Sequence, residues 1–209
     1  MTEGKADHWQ TVYQSKQATQ VSWFAPNLNI SISLLEQFGL NPDSRVIDIG
    51  AGASTLVDDL LEMGIHKVTL LDISAASLEV TQQRLGARAG EVQWVVSDAA
   101  HVNLPAQSFD FWHDRAAFHF LTDAGDVAAY VAAATRSIVE DGFAIISGFA
   151  ADGPERCSGL PVVRREPQEV ADLFGSAFTL VHSQHERHTT PSGASQAFAY
   201  AVLRKNFAT

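Results

Sequence analysis

"VIDIGAGASTLVDDLL", residues 46–61, is the stretch on which the fold turns. Arg45–Ile49 is a short apolar run that holds Asp48 and leads into Gly50, the pattern of a buried strand. Ser54–Met63 sets Leu56, Leu60 and Met63 on one helical face, and Gly64 stops the helix. Between strand and helix lie Gly50 and Gly52. Glycine admits positive φ and lets a ligand approach the backbone closely. The helix that follows offers free N–H groups. Together these features predict a cradle for a nucleotide-like ligand.

The same alternation continues on the C-terminal side. Lys67–Leu71 reads as a second strand, and Ser74 stands where an N-cap belongs, ahead of a helix ending near Arg84 or Leu85. Val92–Val96 and Phe109–Trp112 read as strands three and four. Asp126–Val139 carries Val127, Tyr130, Val131, Ala134 and Ile138 at helical spacing, and "EDG" (140–142) ends it before a fifth strand, Phe143–Gly148. Pro167 suits the first turn of a helix to about Phe174. Phe178–His185 and Ala197–Leu203, separated by "RHTTPSGAS", read as an antiparallel hairpin. Strand–helix repeats predict an α/β fold: a doubly wound, mostly parallel sheet with right-handed crossovers and helices on both faces. The hairpin adds an antiparallel last strand. Residues 1–40, with "LNISISLLEQFGL" the clearest helix, are expected to form an N-terminal helical cap. Residues 41–209 are expected to form the ligand-binding domain, the whole being one structural domain.

Composition narrows the function. The chain has 209 residues, 46% of them hydrophobic, enough for one sizeable core. The formal net charge is -10, and no basic cluster exceeds the pairs Arg164–Arg165 and Arg204–Lys205. Proteins that bind nucleic acid normally displace phosphate counterions with a basic surface, so a nucleic-acid partner is not expected. No apolar run approaches the roughly 20 residues that span a bilayer, so no membrane partner is expected. The polar start "MTEGKADHWQ" lacks a signal-peptide core, and the single cysteine, Cys157, rules out an internal disulfide. The expected location is the cytoplasm.

In sheets of this kind the ligand lies beyond the carboxyl ends of the strands, at the topological switch point. Asp72 ends strand two, 20 residues after Gly52, where a carboxylate accepts both hydroxyls of a ribose. These signals fit NAD and other adenosine ligands alike. Two details separate them. Thr55 stands where an NAD-binding G-x-G-x-x-G/A loop has its last small residue. Strand three ends in "SDAA", with Asp98 placed to accept from an adenine amino group.

"VIDIGAGAS", "LLDIS", "VVSDAAHVNLPAQSFDFWHDR" and "SIVEDGFAIIS" resemble the class I S-adenosylmethionine (SAM) dependent methyltransferases over about residues 44–150. The resemblance implies a seven-stranded sheet with a reversed last strand, and SAM as cofactor. It implies that Asp48, Gly50, Ala51 and Gly52 surround the methionine part of SAM. It implies that Asp72 binds the ribose, Ile73 packs on adenine, Asp98 and Ala99 meet the adenine edge, and His113 and Asp114 lie near the sulfonium. Ala53 is a departure, since many members carry a third glycine there. The aromatic-rich "HWQTVYQSKQATQVSWF" is similar to segments that fold over SAM as a lid in many small methyltransferases, with Tyr13 and Trp23 as contacts. Aromatic faces also attract a sulfonium. The plainer alternative is a helix packed on the sheet edge by Trp9, Val12 and Tyr13.

SAM carries its own leaving group, so the enzyme chiefly aligns the reactants, and a general base is needed only for a protonated nucleophile. The candidates are Asp114, Arg115 and His119 in "WHDRAAFHF", which orient substrate or move a proton unless Asp114 and Arg115 simply pair to brace the loop. His188 in the hairpin loop is a fourth candidate. Arg156, Cys157 and Arg164, in the long loop after strand five, are placed to meet a substrate carboxylate, or else are solvated loop residues. His182, His185 and His188 are spaced by three, but side chains alternate along a strand, so His185 faces away and no metal is expected. The expectation is a SAM-dependent methyltransferase acting on a small molecule. Lysine methylation of a protein is an alternative, since some members with a similar "VSWF" start modify lysines. A non-catalytic SAM sensor or partner subunit is another. An NAD(P) oxidoreductase is disfavoured by Thr55 and by the lack of a Tyr-x-x-x-Lys site.

Overall fold

A computed structural model describes residues 2–207, with the side chains of residues 2 and 3 left aside. Its centre is a seven-stranded sheet of β1 (Arg45–Ile49), β2 (Lys67–Asp72), β3 (Val92–Val96), β4 (Phe109–Arg115), β5 (Ile138–Phe149), β8 (Phe178–Thr189) and β9 (Ser195–Lys205). The order is β3-β2-β1-β4-β5-β9-β8. The first five strands pair in parallel, while β9 runs antiparallel to both β5 and β8. The chain runs outward from β1 to β3 and returns as β4 beside β1, which places the switch point between β1 and β4, at Ile49–Gly50 and Arg115.

Alternation along the strands explains the two layers. Val46, Leu70, Phe111, Ile145, Tyr200 and Val202 face one side. They are covered by α2 (Asn29–Gln37), α3 (Leu56–Glu62) and α4 (Ala75–Leu85). Ile47, Ile49, Trp112, Ala144, Ile146 and Leu203 face the other side, beneath α5 (Ala124–Ser137) and α6 (Pro167–Phe174). The N-terminal helix α1 (Thr2–Ser15) lies beside α4 over the carboxyl ends of the strands. The segment 1–40 is therefore used in two ways. The fully buried Leu34 and Leu35 of α2 belong to the core of the sheet, whereas α1 meets the strand ends.

Most local expectations hold. Ser74 caps α4, accepting the Ser77 N–H at 3.3 Å, and Pro167 opens α6. Three boundaries differ. The α5 helix ends at Ser137, and Ile138, which has helical spacing, instead pairs with Phe109 as the first residue of β5. The chain passes through "EDG" inside that strand, with Asp141 at φ 64°. Both hairpin strands are longer than expected, leaving only residues 190–194 as the turn. Pairing of His188 with Gln196 and of Thr189 with Ser195 carries the ladder through polar residues that read as loop. A small ribbon, β6 (Arg156–Cys157) against β7 (Leu160–Pro161), orders the loop after β5. Among the described residues no helix is long and apolar enough to cross a membrane.

Candidate cofactor and acceptor site

Gly50 and Gly52 have φ of 63° and 52°, and a Cβ on either would collide, at Gly50 with Ala117 and at Gly52 with the Tyr13 hydroxyl. The turn after β1 thus needs glycine for conformation and for space. Asp72, nearly buried at the end of β2, accepts the Gly52 N–H at Oδ2 (2.9 Å) and the Ser74 N–H at Oδ1 (2.8 Å). Burial lifts its carboxyl to about 6 despite those bonds. Burial, then the neighbouring Asp72, raises the Tyr13 phenol.

These residues border a cavity holding about 810 Å³ of empty space, open solvent included. Asp72, Ile73, Asp98 and Ala99 line it from the ends of β2 and β3, Arg115 from the end of β4, with Phe120 and Cys157 from the loops beyond. Trp9, Tyr13 and Trp23 close over it. Asp98 Oδ1 accepts the Ala100 N–H at 2.9 Å, whereas the buried Oδ2 makes no hydrogen bond and has only His101 Nδ1, at 3.4 Å, within ion-pair distance. A second cavity of about 480 Å³ shares Gly50, Trp23 and Arg115 with the first and adds Asp48, Ala51 and His113. There Asp48 Oδ1 lies 2.7 Å from His113 Nδ1, and His113 Nε2 lies 2.8 Å from Ser31 Oγ.

The N-terminal helix α1 is pinned at two points. Lys5 pairs with Asp126 at 2.9 Å, and Gln10 Oε1 accepts from the Ser74 hydroxyl and the Ala76 N–H. Trp9 packs edge-on against Trp23 and Phe120, with centroids 5.6 and 5.0 Å apart. Both Trp9 and Tyr13 face the cavity because positions four apart share a helical face.

Strand parity separates Asp114 from Arg115 on β4, whereas His119 and His188 come from other elements. Asp114 points to the α5 side, where it is fully buried and borders neither cavity. Its oxygens accept the Tyr130 hydroxyl at 2.6 Å and the N–H groups of Ala117 and Phe118. Burial lifts its carboxyl to about 6. No ion pair joins it to Arg115; the loop is braced by these bonds instead. Arg115 points to the opposite side and borders both cavities. His119, also buried, packs at a tilt against Phe149 and lines a separate small cavity with Ser147 and Arg165. Burial, then Arg165 and Arg115, lowers its imidazole to about 3. His188 Nε2 contacts the Ser22 carbonyl oxygen at 2.9 Å, one residue before Trp23.

In the loop after β5, Cys157 faces the cavity with its thiol pushed up to about 11 by burial. Arg156 bonds the Gly159 carbonyl, and Arg164 the Gly153 carbonyl and Glu155. His185 pairs with Glu166 and His182 leans on Phe38, so the three hairpin histidines part company. Among the described residues no group of three or more His, Cys, Asp or Glu side chains is arranged to hold a metal ion.

Sequence reasoning missed Lys5, Trp9, Phe120 and Leu121 as walls. The available signal was the Trp9–Tyr13 spacing. Phe120 ends, and Leu121 follows, a short 3₁₀ turn, Phe118–Phe120, which has no periodic mark.

Residues 46–142 match the methyltransferase domain family. A Mus musculus protein, "eEF1A lysine and N-terminal methyltransferase", is 26% identical over 125 residues, covering 59% of this chain. The match spans only 18% of that relative's length. "Methyltransferase srdJ" of Neurospora crassa is 28% identical over 178 residues, covering 78% of this chain and 75% of the relative. The Burkholderia thailandensis 1,6-didemethyltoxoflavin-N1-methyltransferase, solved with 1,6-didemethyltoxoflavin and S-adenosylhomocysteine, shares the fold. Its TM-score is 0.69 at 23% identity, over 99% of this chain and 87% of that one. With the glycine turn after β1 and the reversed last strand, these matches show a stretch, residues 46–142, that resembles the methyltransferase domain family, within the fold shared by SAM-dependent methyltransferases.

Proposed function

We propose that this enzyme binds SAM in the paired cavities and transfers its methyl group to a small-molecule acceptor. The observation that carries the reading is the pair of carboxylates along one wall, Asp72 at the end of β2 and Asp98 beyond β3. Asp98 Oδ2 is buried and has no donor. An adenine amino group supplies that donor, and removes the cost of about 1–3 kcal/mol for a buried polar atom left unsatisfied. Asp72 retains lone pairs for a ribose on both oxygens. Gly50, Ala51 and Asp48 then border the methionine end, in the second cavity.

When bound, SAM would supply an electrophilic methyl group and its own leaving group, S-adenosylhomocysteine. The chain orients and excludes water. Trp9, Tyr13 and Trp23 act as a lid over the strand ends, held down by Lys5 and Gln10. Arg115 is the reaction candidate that borders the cavities. Asp114 acts at one remove, by fixing the turn that follows it. His188 acts on the lid, through Ser22.

The reading is tested by titrating the purified protein calorimetrically with SAM, S-adenosylhomocysteine and NAD in parallel. Binding of the two adenosyl-sulfur ligands without NAD supports it, and binding of NAD alone overturns it. Protein lysine methylation is the second reading, favoured by the name of the mouse relative. It predicts turnover on a protein substrate and none on small molecules.

A further inference from the structure

Arg115 stands out electrostatically. Its Nη1 donates to the Trp23 carbonyl at 2.9 Å, and its Nε donates to the Tyr200 hydroxyl at 3.3 Å. The guanidinium lies over the Phe198 ring, 4.7 Å from its centre. All three partners are neutral. Tyr200 in turn donates to Glu186 at 2.7 Å, so the nearest acid is reached only through a hydroxyl. Among the described residues no carboxylate lies within ion-pair distance of Arg115. Its Nη2 is buried and donates to nothing. The charge is felt nearby, since it contributes to lowering both His119 and His188. A cation held in a cavity wall by neutral groups, with its whole Nη2 amino group unspent, is an incomplete ion pair.

Arg115 borders both cavities, so the carboxylate of SAM at the methionine end is one anion it meets, and the first cavity narrows the acceptor it meets on the other side. Trp9, Trp23 and Phe120 line the first cavity together with Arg115, and Trp9 meets both of the other rings edge-on. An aromatic wall alone suits a cation as well as a flat neutral molecule. The guanidinium decides between them, because it repels an ammonium in a water-poor site and attracts an anion. The match of a planar guanidinium to a carboxylate is also geometric.

We infer that the methyl acceptor is a small planar acid whose ring lies among Trp9, Trp23 and Phe120 and whose anionic group receives Arg115 Nη2. This rests on the methyl-transfer reading above and names its substrate class. It sets a lysine side chain at a disadvantage, since that group arrives as an ammonium beside an unpaired guanidinium.

The test uses salicylate, its uncharged amide salicylamide, and benzylamine as probes. Each is titrated calorimetrically into the full chain, with and without saturating S-adenosylhomocysteine. Salicylate is expected to bind about tenfold tighter than salicylamide, with benzylamine weakest. Arg115→Gln is expected to erase the acid-over-amide ratio, whereas general damage to the cavity weakens both probes alike. Where Arg115→Gln does not fold, Arg115→Lys is expected to keep a reduced preference for the acid. Equal binding of acid and amide, tighter binding of benzylamine, no binding of any probe, or a ratio that survives Arg115→Gln overturns the inference. The cofactor reading fails separately, by absence of S-adenosylhomocysteine binding, and the arm without it still reads the anion preference.

Discussion

Gly52 and Asp72, 20 residues apart in the chain, meet through a 2.9 Å hydrogen bond from backbone N–H to carboxylate Oδ2. The bond ties the turn after β1 to the end of β2, and it also aims the carboxylate along the cavity wall. Asp72→Ala is expected to weaken SAM binding more than about tenfold, because the ribose hydroxyls and the Gly52 N–H lose a charged acceptor together. Calorimetry reads this directly, and an unchanged dissociation constant removes Asp72 from the ribose.

The space above Gly52 is taken by the Tyr13 hydroxyl. Gly52→Ala is expected to destabilise the fold by about 1–2 kcal/mol, the cost of a left-handed conformation for an L-residue. It should also push Tyr13 outward and loosen the lid. Urea unfolding measures the first effect and Tyr13 fluorescence quenching the second. Combining Gly52→Ala with Tyr13→Phe should recover part of the loss, and no recovery would mean that the two groups do not compete for that space.

Asp114 holds three donors at once. Asp114→Ala is expected to cost about 2–4 kcal/mol, by stranding the Tyr130 hydroxyl and two N–H groups in the core. Denaturant titration shows this. A fully stable Asp114→Asn that has lost turnover would return the residue to a direct role in the reaction.

His119 sets a pH dependence whose sign follows from its depressed folded pKa. In the unfolded chain the imidazole takes a proton near pH 6.5, whereas the folded site refuses it until about 3. Its stabilising contribution is therefore complete above 6.5 and shrinks as the pH falls towards 3. Between pH 7 and 5 that amounts to about 2 kcal/mol, which His119→Gln should not lose. Asp72 and Asp114, raised to about 6, work in the opposite sense between about 4 and 6. The comparison is therefore wild type against variant, by urea unfolding at both pH values. Parallel losses would place His119 in contact with water.

Deleting residues 1–16 removes Lys5, Trp9, Gln10 and Tyr13 together. S-adenosylhomocysteine is expected to bind more than about tenfold more weakly, because the lid's aromatic contacts and its exclusion of water go with the helix. Unaltered affinity and turnover would reduce α1 to packing.

The sheet was legible because its strands are apolar runs punctuated by glycine and Asp, and the Asp72–Asp98 wall of the cavity because both residues sit at strand ends that topology brings together. What escaped depends on direction rather than identity. Adjacent Asp114 and Arg115 look equivalent in "WHDR", but strand alternation sends one to Tyr130 and the other to the cavities. Ile138 has helical spacing yet enters a strand, because Phe109 offers a partner 29 residues upstream, beyond the reach of local periodicity. His188 lies in a polar stretch whose ladder is fixed only by its pairing with Gln196.

The position of β9 between β5 and β8 bears on the order in which the protein is made. During vectorial synthesis β5 emerges with one edge filled by β4 and the other bare, and it stays so until residue 195 and beyond are released. β8 has no neighbour at all before then. A chain stopped after residue 194 therefore presents the apolar run "FAIISGF" as an open template, a ready seed for sticking to other nascent chains.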